Sequence, residues 1–157
     1  MTLSPLRATV FIRALAFWKI PLLYSVKPTT IHLDGDRCEI KIRLRRWTRN
    51  HLNSMYFGAL CIGADCAGGL IAMQLISESG AKVSLVFKDF QAQFLKRPEG
   101  DVHFTCTQGR EIAALLTRVL ETKERQNLPV QVTATVPSLS GDLPVAKFTL
   151  TLSLKLG

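Results

Sequence analysis

The stretch RNHLNSMYFGAL, Arg49 to Leu60, gathers side-chain donors and acceptors just where a long apolar segment begins. Asn50, His51 and Asn53 precede that segment, Gly58 lies near its start, and Asp65 is the one acid between Met55 and Ile76. A carboxylate held in a mostly apolar helix is desolvated, which raises its pKa and suits it to act as a general base near neutral pH. The N–H groups at a helix start, with the helix dipole behind them, can stabilise an oxyanion. A polar loop, a helix start and an interior acid are therefore the parts of a site built at the mouth of a buried helix. Plainer roles compete. Asp65 could be a buried acid satisfied by a Ser or a backbone donor, and His51 is expected to cap the helix rather than to react.

The elements that must position these residues follow from apolar spacing. Leu6 to Trp18 has apolar residues at 6, 10, 11, 14, 15, 17 and 18, close to helical spacing, and Pro21 ends it. Thr30 to Leu33 and Arg37 to Leu44 read as strands joined across Asp34-Gly35-Asp36, a strong hairpin turn. The second strand alternates, with Cys38, Ile40, Ile42 and Leu44 on one face and Arg37, Glu39, Lys41, Arg43 and Arg45 on the other. After the loop from Arg46 to Asn53 the long helix is expected to begin with Ser54 as its N-cap and to stop at Ser79-Gly80.

Lys82 to Leu95 reads as a long strand whose alternation changes phase at Lys88-Asp89, as a β-bulge would make it do. Asp101 to Cys106 is a further strand, Arg110 to Glu124 an amphipathic helix, and two strands over Val130–Val136 and Ala146–Leu156 close the chain. These parts suit an α+β fold in which one antiparallel sheet wraps around a long central apolar helix. The 157 residues are expected to form a single domain, with residues 1–24 as an N-terminal helical extension.

The totals narrow the classes. Almost half of the residues are apolar and a fifth are charged, a globular balance. Residues 1–49 carry ten Lys and Arg against three acids, while the rest carry ten against nine. A basic front half suits an anionic partner, although a solvated strand face beside a basic helix explains it equally well. Cys38, Cys61, Cys66 and Cys106 show no metal-ligand spacing with the histidines, so no metal is expected, and they read as buried reduced thiols of a cytoplasmic protein. Arg7, Arg13 and Lys19 interrupt the N-terminal segment and no small-residue cleavage site follows, which argues against a signal peptide. Met55 to Ile76 is nearly apolar and close to the length of a bilayer span, but Asp65 at its middle and small residues at Gly58, Ala59, Gly63, Ala64, Ala67, Gly68 and Gly69 favour a helix buried in the fold.

The layout, together with NHLNSMYFGALCIGAD from Asn50 to Asp65, resembles the hotdog-fold thioesterase superfamily. Within it the pattern looks like the phenylacetate-degradation-type thioesterases and their domain-of-unknown-function relatives. Those proteins carry an Asn, a Gly-Thr pair, a His-Gly-Gly run and then a carboxylate about two turns into the helix. Asn50 falls on the Asn, Asn53-Ser54 on the Gly-Thr pair, Tyr56-Phe57-Gly58 on His-Gly-Gly, and Asp65 on the carboxylate. FLKRPEGDV, from Phe94 to Val102, resembles the stretch leading from the family's long third strand into the next. Tyr56 and Phe57 depart from the pattern and crowd the approach to the helix start. Asn53 for Gly is a mild change, because Asn tolerates a left-handed backbone.

The resemblance implies hydrolysis of an acyl-CoA thioester. Asp65 would be general base or nucleophile, Gly58 would supply the oxyanion N–H, and Asn50 would orient the water or the carbonyl. Tyr56 and Phe57 would contact substrate, and Arg45, Arg46 and Arg49, with Arg43, are the basic residues nearest in sequence for its phosphates. It also implies a homodimer or tetramer with sites between subunits, and no cofactor other than coenzyme A as part of the substrate. A non-catalytic acyl-CoA or fatty-acyl binder on the same fold is the alternative. Nucleic-acid binding ranks well below both, since only Trp47 accompanies the Arg-rich strand. Contact with a membrane surface through the N-terminal helix is not expected, because that helix should pack on its own sheet.

Overall fold

The computed structural model describes residues 4–157. Ser4 caps the first helix, α1 (Pro5–Lys19), by accepting the Arg7 N–H, and Pro5 occupies the first helical position, where its missing N–H costs nothing. Ala8, Thr9, Ile12 and Ala16 form its buried stripe, packed on β1 (Thr29–Leu33). The stripe expected from the larger apolar residues faces mostly outward instead: Leu6, Val10, Phe11, Phe17 and Trp18 are exposed. The two alanines allow the close approach, and the Thr9 hydroxyl fixes it by accepting the Thr30 N–H at 2.9 Å. α1 stops at Lys19, with Ile20 non-helical before Pro21 as expected, and Pro21 then opens a short second helix, α2 (Pro21–Ser25).

The β1–β2 turn forms as its sequence requires. Asp34 Oδ1 accepts the N–H groups of Asp36 at 2.8 Å and Arg37 at 2.7 Å, an Asx turn leading into β2 (Cys38–Ile42). The strand stops two residues earlier than its alternation suggests, because the Leu44 N–H goes to Asp101 Oδ1 at 3.0 Å rather than to a neighbouring strand.

The long helix α3 (Phe57–Ser79) ends at Gly80, whose φ of 67° is the left-handed conformation that closes helices at low cost. Next come β3 (Val83–Phe94), β4 (Val102–Cys106), α4 (Gly109–Thr122), β5 (Gln126–Thr135), a single helical turn α5 (Pro137–Ser140) and β6 (Pro144–Leu156). Among the described residues, six strands form one antiparallel sheet in the order β1-β2-β4-β5-β6-β3. The phase change expected in β3 is present: Phe87 faces Leu152 and Phe90 faces Leu150, so two residues on β3 oppose one on β6. A second irregularity, in β1 between Thr30 and His32, carries no such sequence sign.

The core lies between the sheet and α3. Ile40, Phe104, Val132 and Leu150 from the strands meet Ala64, Ala67, Leu70 and Ile71 of the helix, all within one buried cluster. A Cβ at Gly63 would stand 2.3 Å from the Phe104 ring, so this ring packs directly on helix backbone. The stripe of α4 formed by Ile112, Leu115, Leu116 and Val119 closes one side of α3. α3 is long and apolar enough to cross a membrane, yet most of its apolar length is buried in the fold, as its small residues suggest. Cys38, Cys66 and Cys106 are buried and Cys61 is half-buried.

Candidate active site

The loop before α3 is braced at nearly every residue. The Thr48 hydroxyl accepts the Arg45 N–H at 2.9 Å and donates to the Arg43 carbonyl at 2.7 Å. The Tyr56 N–H reaches the Thr48 carbonyl at 2.8 Å, and the Met55 N–H reaches the Pro98 carbonyl at 2.9 Å. Asn50 forms the centre of the loop: its Oδ1 accepts from the Leu52 N–H, the Ser54 N–H and the Ser54 hydroxyl. Asn53 takes φ 60°, the left-handed conformation its position demands.

This bracing corrects two expectations. Ser54 is buried and bonded to Asn50, so the helix starts at Phe57 with Tyr56 as its N-cap. Among the described residues no side chain bonds the freed N–H groups, and His51, exposed in the loop, does not cap them. The first helical bond is from the Leu60 N–H to the Tyr56 carbonyl, which leaves the N–H groups of Phe57, Gly58 and Ala59 available at the α3 terminus.

Beside that terminus is a cleft of about 580 Å³, within the usual size of small-molecule sites. Asn50, Tyr56 and Phe57 line it from the loop and helix start; Phe94, Lys96 and Arg97 line it from the end of β3. The ring of Phe57 is 4.7 Å from Tyr56 and 6.4 Å from Phe94, which in turn is 6.2 Å from Phe148. An apolar wall thus runs from the mouth of the cleft toward the core. The Tyr56 ring also covers Gly58, since a Cβ there would stand 2.5 Å from it.

Asp65 is not in this cleft. It lies seven residues beyond Gly58, which is about 10 Å along a helix at 1.5 Å per residue. Both sit on one face of α3 with Ile62, Met73 and Ile76, and every one of these five is only half-buried in the single chain. Burial pushes the Asp65 carboxyl from its ordinary value of 3.8 up to about 6, with no hydrogen bond or ion pair among the described residues to oppose it. One subunit therefore does not bring Asp65 together with Asn50 and Gly58.

The arginines divide differently from their order in sequence. Arg45 lines a separate cavity with Arg43, and Arg46 and Arg49 are exposed and line neither that cavity nor the cleft. The cations at the cleft are Lys96 and Arg97, with Leu95 and Pro98 beside them. The FLKRPEGDV stretch was their sequence sign.

One antiparallel sheet holding one long apolar helix is the hotdog fold. Thioesterase superfamily member 2 of the zebrafish shares it with a TM-score of 0.67 and 16% identity, over 99% of each chain. A thioesterase of Haemophilus influenzae does so at 0.70 and 15%, over 99% of this chain and 93% of that one. A protein of unknown function from Chlorobaculum tepidum superposes at 0.84 with 14% identity, over 99% and 98%. By sequence, the chain belongs to the family described as a domain of unknown function, DUF4442, whose pattern matches residues 8–153. No curated protein matches the sequence. Identities this low carry the fold, and function has to be argued from the site.

Proposed function

We propose that this chain is a cytoplasmic acyl-CoA thioesterase that works as a dimer or a higher oligomer. The observation that carries this is the half-buried face of α3, on which an unpaired carboxylate and a set of unpaired N–H groups lie two turns apart. No single reacting carbonyl could touch both within one subunit. Two subunits meeting along this face would bring Asp65 of one to the cleft of the other. The free edge of β3, a long edge strand with Val86, Phe90 and Phe94 exposed, offers the second half of such an interface.

In that arrangement the thioester carbonyl lies at the start of α3 and its oxygen accepts from the Phe57 and Gly58 N–H groups. Asp65 takes a proton from water, which attacks the carbonyl carbon. The tetrahedral oxyanion is held by the same N–H groups and the helix dipole. Collapse breaks the C–S bond and releases the thiol of coenzyme A, with the proton returned from Asp65. The Asn50 oxygen is committed to its loop, so only its Nδ2 amide is left to orient the water or the carbonyl. Phe57 and Phe94 contact the acyl group, and Lys96 and Arg97 contact coenzyme A phosphate.

The second reading, a non-catalytic acyl-CoA or fatty-acyl binder, is favoured by the Tyr56 ring lying over Gly58. Turnover against a panel of short-, medium-, long-chain and aryl acyl-CoAs, for wild type and Asp65→Asn, separates the two. Activity lost in a variant that still folds and assembles supports the enzyme. Acyl-CoA binding with no turnover by wild type would leave only the binder.

A further inference from the structure

The cleft at α3 is not the largest cavity in the chain. A space of about 640 Å³ opens between α1, the turn around Lys27 and the Arg43–Thr48 segment. Among the described residues, four cations line it, Arg13, Lys27, Arg43 and Arg45, and no carboxylate does. Like charges so gathered repel one another unless an anion joins them.

Three features distinguish it from an ordinary basic surface. Arg13 is built into the wall: its Nε donates to the Pro28 carbonyl at 2.9 Å and its Nη2 to Thr29 Oγ1 at 2.8 Å, leaving Nη1 free to donate. Arg43 and Arg45 make no side-chain hydrogen bond or ion pair among the described residues, whereas nearby Arg37 is paired with Glu39. Thr30, which also lines the cavity, is 3% exposed, and among the described residues its Oγ1 is the buried side-chain polar atom without a partner. A buried hydroxyl left unsatisfied is costly. At the edge stands Trp47, 85% exposed, an indole with no packing role.

We propose that this cavity binds a phosphate ester and that Trp47 gives it a preference for nucleotides. A guanidinium's planar fork of donors meets two oxygens of a tetrahedral phosphate at once, and a multiply charged phosphate offsets several gathered cations where one carboxylate offsets one. An exposed indole stacks on the flat face of a base. The volume is ample for a mononucleotide. Arg45 thus belongs to a second site, whether or not the α3 cleft hydrolyses a thioester.

Calorimetric titration of the full chain with ADP, inorganic phosphate and phosphatidylserine vesicles tests this. ADP should bind saturably. The Arg43→Gln/Arg45→Gln double variant should weaken it at least about ten-fold, while Lys19→Gln, a cation outside the cavity, leaves it unchanged. Trp47→Ala should weaken ADP and leave inorganic phosphate unaffected. Both arginines and Trp47 are exposed, so these variants should fold. Absence of saturable binding to ADP overturns the proposal. So does an equal loss in Lys19→Gln, or binding to vesicles alone, which would make the surface membrane-facing. Hydrolysis of a thioester that carries no nucleotide reports on the cleft separately, so the two ideas can fail independently.

Discussion

Replacing Asp65 by Asn keeps the side chain's shape and removes its charge. Burial raises this carboxyl from 3.8 to about 6, so the folded chain holds the proton more tightly than the unfolded one does. A group perturbed in this direction contributes stability that is complete below about pH 4 and is lost as pH rises through about 6. At about 1.4 kcal/mol per pKa unit, the ionised form costs the folded state roughly 3 kcal/mol by pH 8. The Asp65→Asn variant carries no such cost. Urea denaturation at fixed protein concentration should therefore find it more stable than wild type by about 2–3 kcal/mol at pH 8, narrowing to about half a kcal/mol at pH 4. Thioester turnover by the same variant should fall about 100-fold or more. A variant no more stable than wild type at pH 8 would refute the desolvation reasoning and mean that donors from another subunit hold the carboxylate.

Glycines at two close approaches should resist substitution. Gly63→Ala sets a methyl 2.3 Å from the buried Phe104 ring, and Gly109→Ala sets one 2.0 Å from the Gly35 carbonyl oxygen. Each should lose about 1–3 kcal/mol in denaturant melts, with Gly109→Ala at the upper end because backbone cannot swing aside. Lys96→Gln and Arg97→Gln should each raise KM for acyl-CoA about five-fold with kcat unchanged, the effect of roughly 1 kcal/mol of exposed phosphate contact. A thiol reagent should label at most one cysteine per native chain, Cys61, and mass spectrometry of a Cys61→Ser variant should find none modified.

Much of the framework was legible because it rests on local rules. The phase change at Lys88-Asp89 could be read from parity alone, while Asn53, standing where the resembled family has Gly, takes the left-handed conformation that Asn tolerates. The start of α3 could not. Ser54 is a good cap by type, but its hydroxyl is taken by Asn50 four residues earlier, a choice set by the loop's own closure. Neighbourhood in sequence also misled the search for phosphate contacts. Arg45 leaves the end of β2 toward α1, while the cations at the cleft come from the β3–β4 connection, some fifty residues later. The motif from Asn50 to Asp65 was compact in sequence, yet its two ends are a loop and a point two turns along a helix.

Phe104 has no part in the proposed chemistry, yet it fixes the compass bearing of the carboxylate proposed as the general base. Its ring fills the notch at Gly63, and no other residue type leaves that notch open. Asp65 follows by two positions, about 200° further round the helix axis, and so is turned away from the sheet by the same contact. Small drifts in that azimuth would carry the carboxylate sideways without unfolding anything. The aim of Asp65 is thus set from β4, by an aromatic ring in the dry interior.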